Sequence, residues 1–423
     1  MNILLFTFKD IVEVLKAVGQ VFSYMWFFIL PLAFYFVFKL LWLDHVQEKF
    51  RSSIEYTLLE IIAPRDIEKS PKLMEALFSG ISGVWKSLSV KENYLKGEEL
   101  HRFSFEIVSD GGVVHFYIRT PKVYRNLVEA NLYAQYPAVE VNEVPDYVKN
   151  VPRIVPNRNW DLWGSDFELT KPDAYPILTY RKFEESVTGK MIDPLASIIE
   201  VMGKVNSNHK LWLQYIIVPE AETWSNSGQQ LIDEVFKGKA KPKGILEKII
   251  YDFFDVARNI FSGTMGNVEF KAELKKDDRP IEFRLTPGEK EVLKALEENI
   301  GKNVFIVKMR FLYLGQKEGF DKTFVASFVG AIKQFNDQNL NSFRPESDSK
   351  TFANYILAQS RLRYRQRKIF QRYIDRSILG KKFILSSEEL ATVFHLPDMS
   401  VMAPSIFRVE SKRGGAPSNL PIQ

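Results

Sequence analysis

FSFEIVSDGGVVHFYIR, residues 103–119, alternates apolar and polar side chains on both sides of Asp110-Gly111-Gly112. Alternation with a period of two marks half-buried strands. The paired glycines accept the positive φ that a tight hairpin turn demands. The stretch reads as a β-hairpin, and its flanks extend the pattern. Upstream, IEYTLLEII (54–62) is a strand-like run, and PRDIEKSPKLMEALFSGISGVW (64–85) sets Leu73, Met74, Leu77, Phe78 and Ile81 at helical spacing. Downstream, Pro121 suits the first turn of a helix running through Tyr133, and AVEVNEV (138–144) reads as a closing strand.

The order over residues 54–147 is β-α-β-β-α-β, which predicts a ferredoxin-like domain: one antiparallel sheet with two helices on one face. After a Pro-rich connector at 151–163, a second mixed module spans 165–345. Strands are expected at 165–170 and 176–182, then a helix from about Pro194 and a strand at LWLQYIIV (211–218). A helical insertion covers 226–262, with Leu246, Ile249, Ile250, Phe253, Phe254 and Ile260 as its stripe. Thr286-Pro287 opens another helix, followed by the strand VFIVKMRFLYL (304–314), a helix at 321–336 and a short run near Phe343. The fold class is α+β.

Ahead of these modules, VFSYMWFFILPLAFYFVFKLLWL (21–43) is interrupted only by Ser23, Pro31 and Lys39. A helix needs about 20 such residues to cross a bilayer. Lys39 can snorkel, and Tyr24, Trp26 and Trp42 suit the interfacial belts. Signal-peptide cores run only about 7–15 residues and end in a small-residue cleavage site. None follows here, so a retained single-pass anchor in the cell membrane is expected, with the soluble part on the cytoplasmic side. Residues 1–20 read as a short interfacial helix in contact with membrane lipid.

Zero cysteines exclude disulfides, thiolate metal sites and a cysteine nucleophile. A net charge of +5 spread over 423 residues creates no global attraction to nucleic acid, so an electrostatic partner has to be argued from local clusters. No G-x-x-x-x-G-K-[ST] string occurs; the nearest, GQKEGFDKT (315–323), lacks the Gly-Lys pair that cradles phosphates. The histidines at 45, 101, 115, 209 and 395 have no metal-ligand spacing, and no G-x-S-x-G elbow is present. No catalytic, cofactor or metal residue is assigned.

The sharpest cluster is RLRYRQRKIFQRYIDR (361–376), within a basic and C-terminal helical region at 351–397. Arg361, Arg365, Lys368, Arg372 and Arg376 fall near one helix face and Leu362, Ile369 and Tyr373 on another. Such a stripe can neutralise nucleic-acid phosphates or anionic headgroups, and Tyr364 can stack, although most basic helix faces are merely solvated. Further on, Ser386 or Ser387 is the expected N-cap of a helix carrying Leu390, Val393 and Phe394, with Glu389 favouring Ser386. Residues 398–423, including KRGGAPSNLP, have the composition of a flexible tail.

Several phrases together carry a resemblance: PRDIEKSPKLMEALFSGI (64–81), DPLASIIEVMGKV (193–205) with LWLQYIIVP (211–219), and KFILSSEELATVFHLPD (382–398) with PSNLP (417–421). They resemble the membrane-proximal region of the type IV secretion and conjugation ATPases of the HerA/TraG-like kind. In that family such segments stand just upstream of a motor domain that begins with a phosphate-binding loop. This sequence holds no such loop, so no family catalytic residue carries over; the motor is either a separate polypeptide or lost by truncation. The resemblance implies a non-catalytic, membrane-anchored subunit that docks or positions a motor ATPase in trans, open to homo-oligomerisation. The alternative is a nucleic-acid-binding module that guides DNA through the basic helix.

Overall fold

A computed structural model describes residues 8–64, 70–184, 193–220, 224–235, 285–398 and 408–409. The chain forms two compact units, one of residues 1–55 with 86–100 and the other of 56–85 with 101–423.

The first unit is built on one helix, α1 (Phe8–Ser53), which continues through Pro31. The interfacial helix expected at 1–20 and the span expected at 21–43 are thus one element in its described part. Between Trp26 and Trp42 many large apolar side chains are exposed, among them Phe27, Phe28, Phe34, Phe38 and Leu41. A helix apolar all round is suited to lipid, and Trp26–Ser53 is long and apolar enough to cross a membrane. Past Leu43 the composition turns polar and the helix becomes a stem, where Arg51 pairs with Asp44 and Glu48 on its own surface. Residues 86–100, which include a π-helical turn at Glu92–Lys96, pack along this stem.

The second unit is a ten-stranded, largely antiparallel sheet: β1 (Tyr56–Pro64), β2 (Phe103–Asp110), β3 (Val113–Pro121), β4 (Glu140–Glu143), β5 (Trp160–Leu169), β6 (His209–Glu220), β7 (Val304–Gln316), β8 (Phe343–Pro345), β9 (Phe383–Ser386) and β10 (Arg408–Val409). The main path runs β10-β1-β3-β2-β6-β7-β5-β8, with β4 on β1 and β9 on β7; among the described strands β10 alone runs parallel to its neighbour. The expected hairpin closes at Gly111 and Gly112, both at positive φ. The strands of 54–147 take the order β4-β1-β3-β2, and β2 then pairs with β6 along its whole length. One sheet therefore runs unbroken from the first set of strands into the second.

Alternation sorts the strand residues onto two faces. On the first, Leu59, Ile61, Phe105, Ile107, Phe116, Leu213, Tyr215, Phe305, Met309 and Phe311 make an apolar floor. Covering it are α2 (Lys72–Ser82), α3 (Arg125–Gln135), α5 (Ala196–Gly203), α8 (Thr323–Ile332) and α10 (Ser387–Val393). Also present are α4 (Tyr180–Glu184), α6 (Trp224–Val235), α7 (Pro287–Ile300) and α9 (Ala358–Ile374). Both α7 and α10 begin with complete capping boxes, Thr286 with Glu289 and Ser386 with Glu389.

Residues 176–182, expected as a strand, are not one: 176–179 are irregular and lead into α4. The backbone donors there are used by acceptors outside any ladder. Ile177 N donates to Glu389 Oε1, Leu178 N to the Phe335 carbonyl and Tyr180 N to Thr392 Oγ1. Of the insertion expected at 226–262, the part to Val235 lies in α6; residues 236–284, with the predicted stripe, and most of the 398–423 tail fall outside the described residues.

Candidate anion-binding helix and the ion-pair network beneath it

The basic segment forms α9 because Arg, Lys, Gln and Leu are strong helix formers. Gln366, Ile369, Phe370 and Tyr373 recur at one-turn spacing and are buried against the second sheet face. Tyr373 packs on Trp212, with ring centroids 5.2 Å apart. Gln366 Nε2 donates to Asp161 Oδ1 and to the Leu162 carbonyl. The helix is clamped at both ends of its packed face.

The predicted stripe divides. Arg361 and Lys368 are exposed, the first donating to the Asn354 carbonyl and the second lying 5.5 Å over the Tyr364 ring. Arg365 is half-buried and donates to the Lys350 and Phe352 carbonyls, so it fastens the preceding loop. Arg372 is half-buried as well. Arg376 does not belong to an anion-binding surface: it is 4% exposed, lies beyond the helix at φ 47°, and is consumed by carboxylates inside. At about 100° per residue, the four cations on the helix itself, Arg361, Arg365, Lys368 and Arg372, sit on a flank roughly 120° from the centre of the packed face rather than opposite it. Arg363 and Arg367, which the stripe omits, are exposed as well.

Two clefts flank α9. One, of about 410 Å³, sets Arg365, Lys368, Arg372 and Lys381 against Glu346 and Asp348. The other, of about 530 Å³, sets Arg153, Arg367, Lys368 and Arg372 around Val155, Phe370 and Leu379. Ahead of the helix, Tyr355, Ile356 and Leu357 are 92%, 83% and 72% exposed, with Phe352 and Tyr364 exposed nearby. Tyr355 and Leu357 both take left-handed backbone, which is uncommon for bulky residues and projects this shoulder.

Beneath α9 lies a polar row that apolar periodicity alone does not reveal. Successive register pairs place Asp166, Arg310, Gln214, Glu106, Tyr117, Glu60 and Asn142 side by side across β5, β7, β6, β2, β3, β1 and β4. The signal was there: charged residues inside apolar strands, in FSFEIV and KMRFL. Arg310 Nε donates to Asp166 Oδ1 at 2.6 Å, and its other nitrogens donate to the Arg372 and Ser377 carbonyls. Lys308 Nζ lies 2.7 Å from Asp166 Oδ2 and donates to the Lys381 carbonyl. Glu106 accepts from Arg376, Ser104, Tyr147 and Gln214. Burial pushes the Glu106 carboxyl up, but the Arg376 charge and these hydrogen bonds outweigh it and hold the group at about 2. Burial pulls the Lys308 ammonium below its ordinary value, against the opposing charge of Asp166.

This row ties the sheet to the C-terminal end of α9, and its charges face one another rather than a cavity. Its role is structural: it fixes the helix whose outer side carries Arg361, Arg363, Tyr364, Arg367 and Lys368. Among the described residues no group of three or more His, Asp or Glu side chains could hold a metal ion. What the outer surface offers is a rigid array of cations next to aromatic and aliphatic side chains.

A search of curated proteins returns no match. A family model described as a domain of unknown function, DUF8128, matches residues 42–408. That match takes in the polar stem of α1, strands β1 to β9 with the first residue of β10, and α9, and the chain belongs to the DUF8128 family.

Proposed function

We propose that this chain is a non-catalytic, single-pass membrane subunit of a type IV secretion or conjugation-like system, and that it docks a motor ATPase through the shoulder and outer face of α9. The observation that carries this reading is the grouping of exposed Phe352, Tyr355, Ile356, Leu357 and Tyr364 with Arg361 and Arg363. Contiguous apolar surface rimmed by charge is typical of protein–protein contact sites, and Tyr and Arg are the residue types that dominate their energetics. The motor itself is inferred from the resemblance of residues 64–81, 193–219 and 382–398 to the secretion ATPases. The β4-β1-β3-β2 order, with α2 and α3 on one face, supports reading 54–147 as a ferredoxin-like module serving as part of the platform. The exposed apolar length of α1 supports membrane insertion; in this reading the sheet unit lies on the cytoplasmic side.

A photo-crosslinking side chain at Tyr355 in the full chain, expressed in its native cells, tests the reading. Adducts containing a P-loop ATPase are expected at Tyr355 and not at the also exposed Val123; no ATPase adduct at Tyr355 overturns it. The second reading, DNA guidance, is favoured by Arg361, Arg363, Arg367 and Lys368 standing exposed beside Tyr364. It requires affinity for DNA that falls steeply with added salt, whereas an apolar docking surface keeps its affinity.

A further inference from the structure

Residues 86–100 leave the sheet unit's chain path, join α1 as part of a separate compact unit, and return. Their contacts are spread along the helix from Arg51 up to Lys39. Glu99 Oε1 lies 3.7 Å from Arg51, Gly97 lies against the Val46 backbone, Asn93 accepts from Gln47, and Tyr94 reaches both Trp42 and Lys39. From Arg51 to Lys39 is about 18 Å along the axis at about 1.5 Å per residue. The approach is close enough to dictate sequence: Gly97 has φ +67°, and a Cβ there would stand 2.3 Å from the Val46 carbonyl. Val46 is the one residue of the stem that this packing buries.

The upper contacts fall on the residues of α1 that belong at a membrane surface. Trp42 Nε1 donates to the Tyr94 carbonyl at 2.9 Å, and the Lys39 ammonium lies 5.0 Å over the Tyr94 ring. Tyr, Trp and Lys are the side chains that collect where hydrocarbon meets headgroups. At this same level the segment leaves Leu95 63% exposed, and one turn earlier Val90 is 76% exposed. Lys91 and Lys96 stand next to them in sequence, the arrangement by which short amphipathic elements sit in an interface.

We propose that residues 86–100 form a foot that rests in the headgroup layer, seating Leu95 and Val90 in lipid and fixing the depth of α1. The proposal rests on the reading of α1 as a membrane span. The foot explains why a polar segment follows the stem towards the apolar half of the helix, and why it leaves Val90 and Leu95 exposed beside Lys91 and Lys96.

Because the chain has no cysteine, single labels can be placed without background. The full chain is reconstituted in nanodiscs of phosphatidylcholine with phosphatidylglycerol, carrying an environment-sensitive fluorophore at F34C, L95C or V123C in turn. Lipids spin-labelled near the headgroup are expected to remove most of the emission at position 95, and deeply labelled lipids most of it at 34, with 123 unaffected by either. Quenching at 34 but not at 95 overturns the foot and leaves the span standing. No quenching at 34 overturns the span, and the foot with it. A second variant, L95D, is expected to leave unfolding of the sheet unit unchanged and to abolish headgroup-level quenching of a label at V90C; retained quenching overturns the seating of this turn.

Discussion

Replacing Arg376 with Met tests the claim that the buried network holds α9 in place. Glu106 is fully buried, and Arg376 Nε and Nη2 donate to its two oxygens at 3.1 and 3.2 Å. Removing one partner of a buried pair costs about 3–5 kcal/mol, because the remaining charge stays desolvated. Ser104, Tyr147 and Gln214 still donate to Glu106, which places the loss at the lower end, about 3 kcal/mol. That corresponds to about a hundredfold in an opening equilibrium. Hydrogen exchange of the α9 amides in the full chain, in detergent at neutral pH, reads the change directly. The pair E106Q/R376M is expected to regain at least half of the loss, since the fully buried carboxylate is gone and only the part-exposed Asp146 still lacks its partner. The same pair sets the acid response. With Glu106 held at about 2 against an ordinary 4.5, its contribution is complete above pH 4.5 and is lost as pH falls towards 2, a total of about 3 kcal/mol. R376M should lack that acid limb. Unchanged α9 protection in R376M, or a double variant no more stable than the single one, refutes the reasoning.

Glu389, fully buried, is pushed up to about 7 by burial against opposing hydrogen bonds from Ser386 and Ile177. A raised carboxyl stabilises the fold most below pH 4.5 and loses that contribution as pH rises through 7, about 3 kcal/mol in all; E389Q, whose amide oxygen can keep the Ser386 bond but whose NH2 cannot accept from Ile177 N, should lower stability overall and flatten this part of its pH profile in denaturant titrations. G97A forces a Cβ onto the Val46 backbone at a positive φ, so limited proteolysis should cut within 86–100 faster than in the wild type while the sheet unit unfolds unchanged. Reversing Arg361, Arg363, Arg367 and Lys368 to Glu should abolish any low-salt DNA retention measured by fluorescence anisotropy, and it should do so without the loss of stability that R376E causes.

Local pattern carried the elements well and their assembly poorly, for physical reasons visible in particular residues. The hairpin at Gly111-Gly112, the helix opened by Pro287 and the Ser386 cap are set by neighbours in sequence, where period, turn chemistry and capping act. The pairing of β2 with β6 joins residues about a hundred positions apart, and nothing in either strand names its partner. The 176–182 strand was misread because Ile177 and Tyr180 are apolar enough for a strand, while the groups that take their amide protons, Glu389 and Thr392, are more than two hundred residues away. Arg376 was misplaced for a related reason. Its spacing extends the stripe, but the helix stops at Ile374 and the chain turns it onto Glu106. The charged residues in β2 and β7 were legible as exceptions to alternation, and only register shows that they form one row.

The measurement that bears most directly on the docking proposal is affinity purification of the tagged full chain from detergent-solubilised native membranes, beside a Y355D/L357D variant. Co-purifying proteins are identified by mass spectrometry, and the eluates are assayed for ATP hydrolysis. The proposal predicts a P-loop ATPase and its activity with the wild type, both lost with the variant while the yield of the chain is unchanged. Wild-type eluates without an ATPase, or an ATPase retained equally by the variant, contradict it.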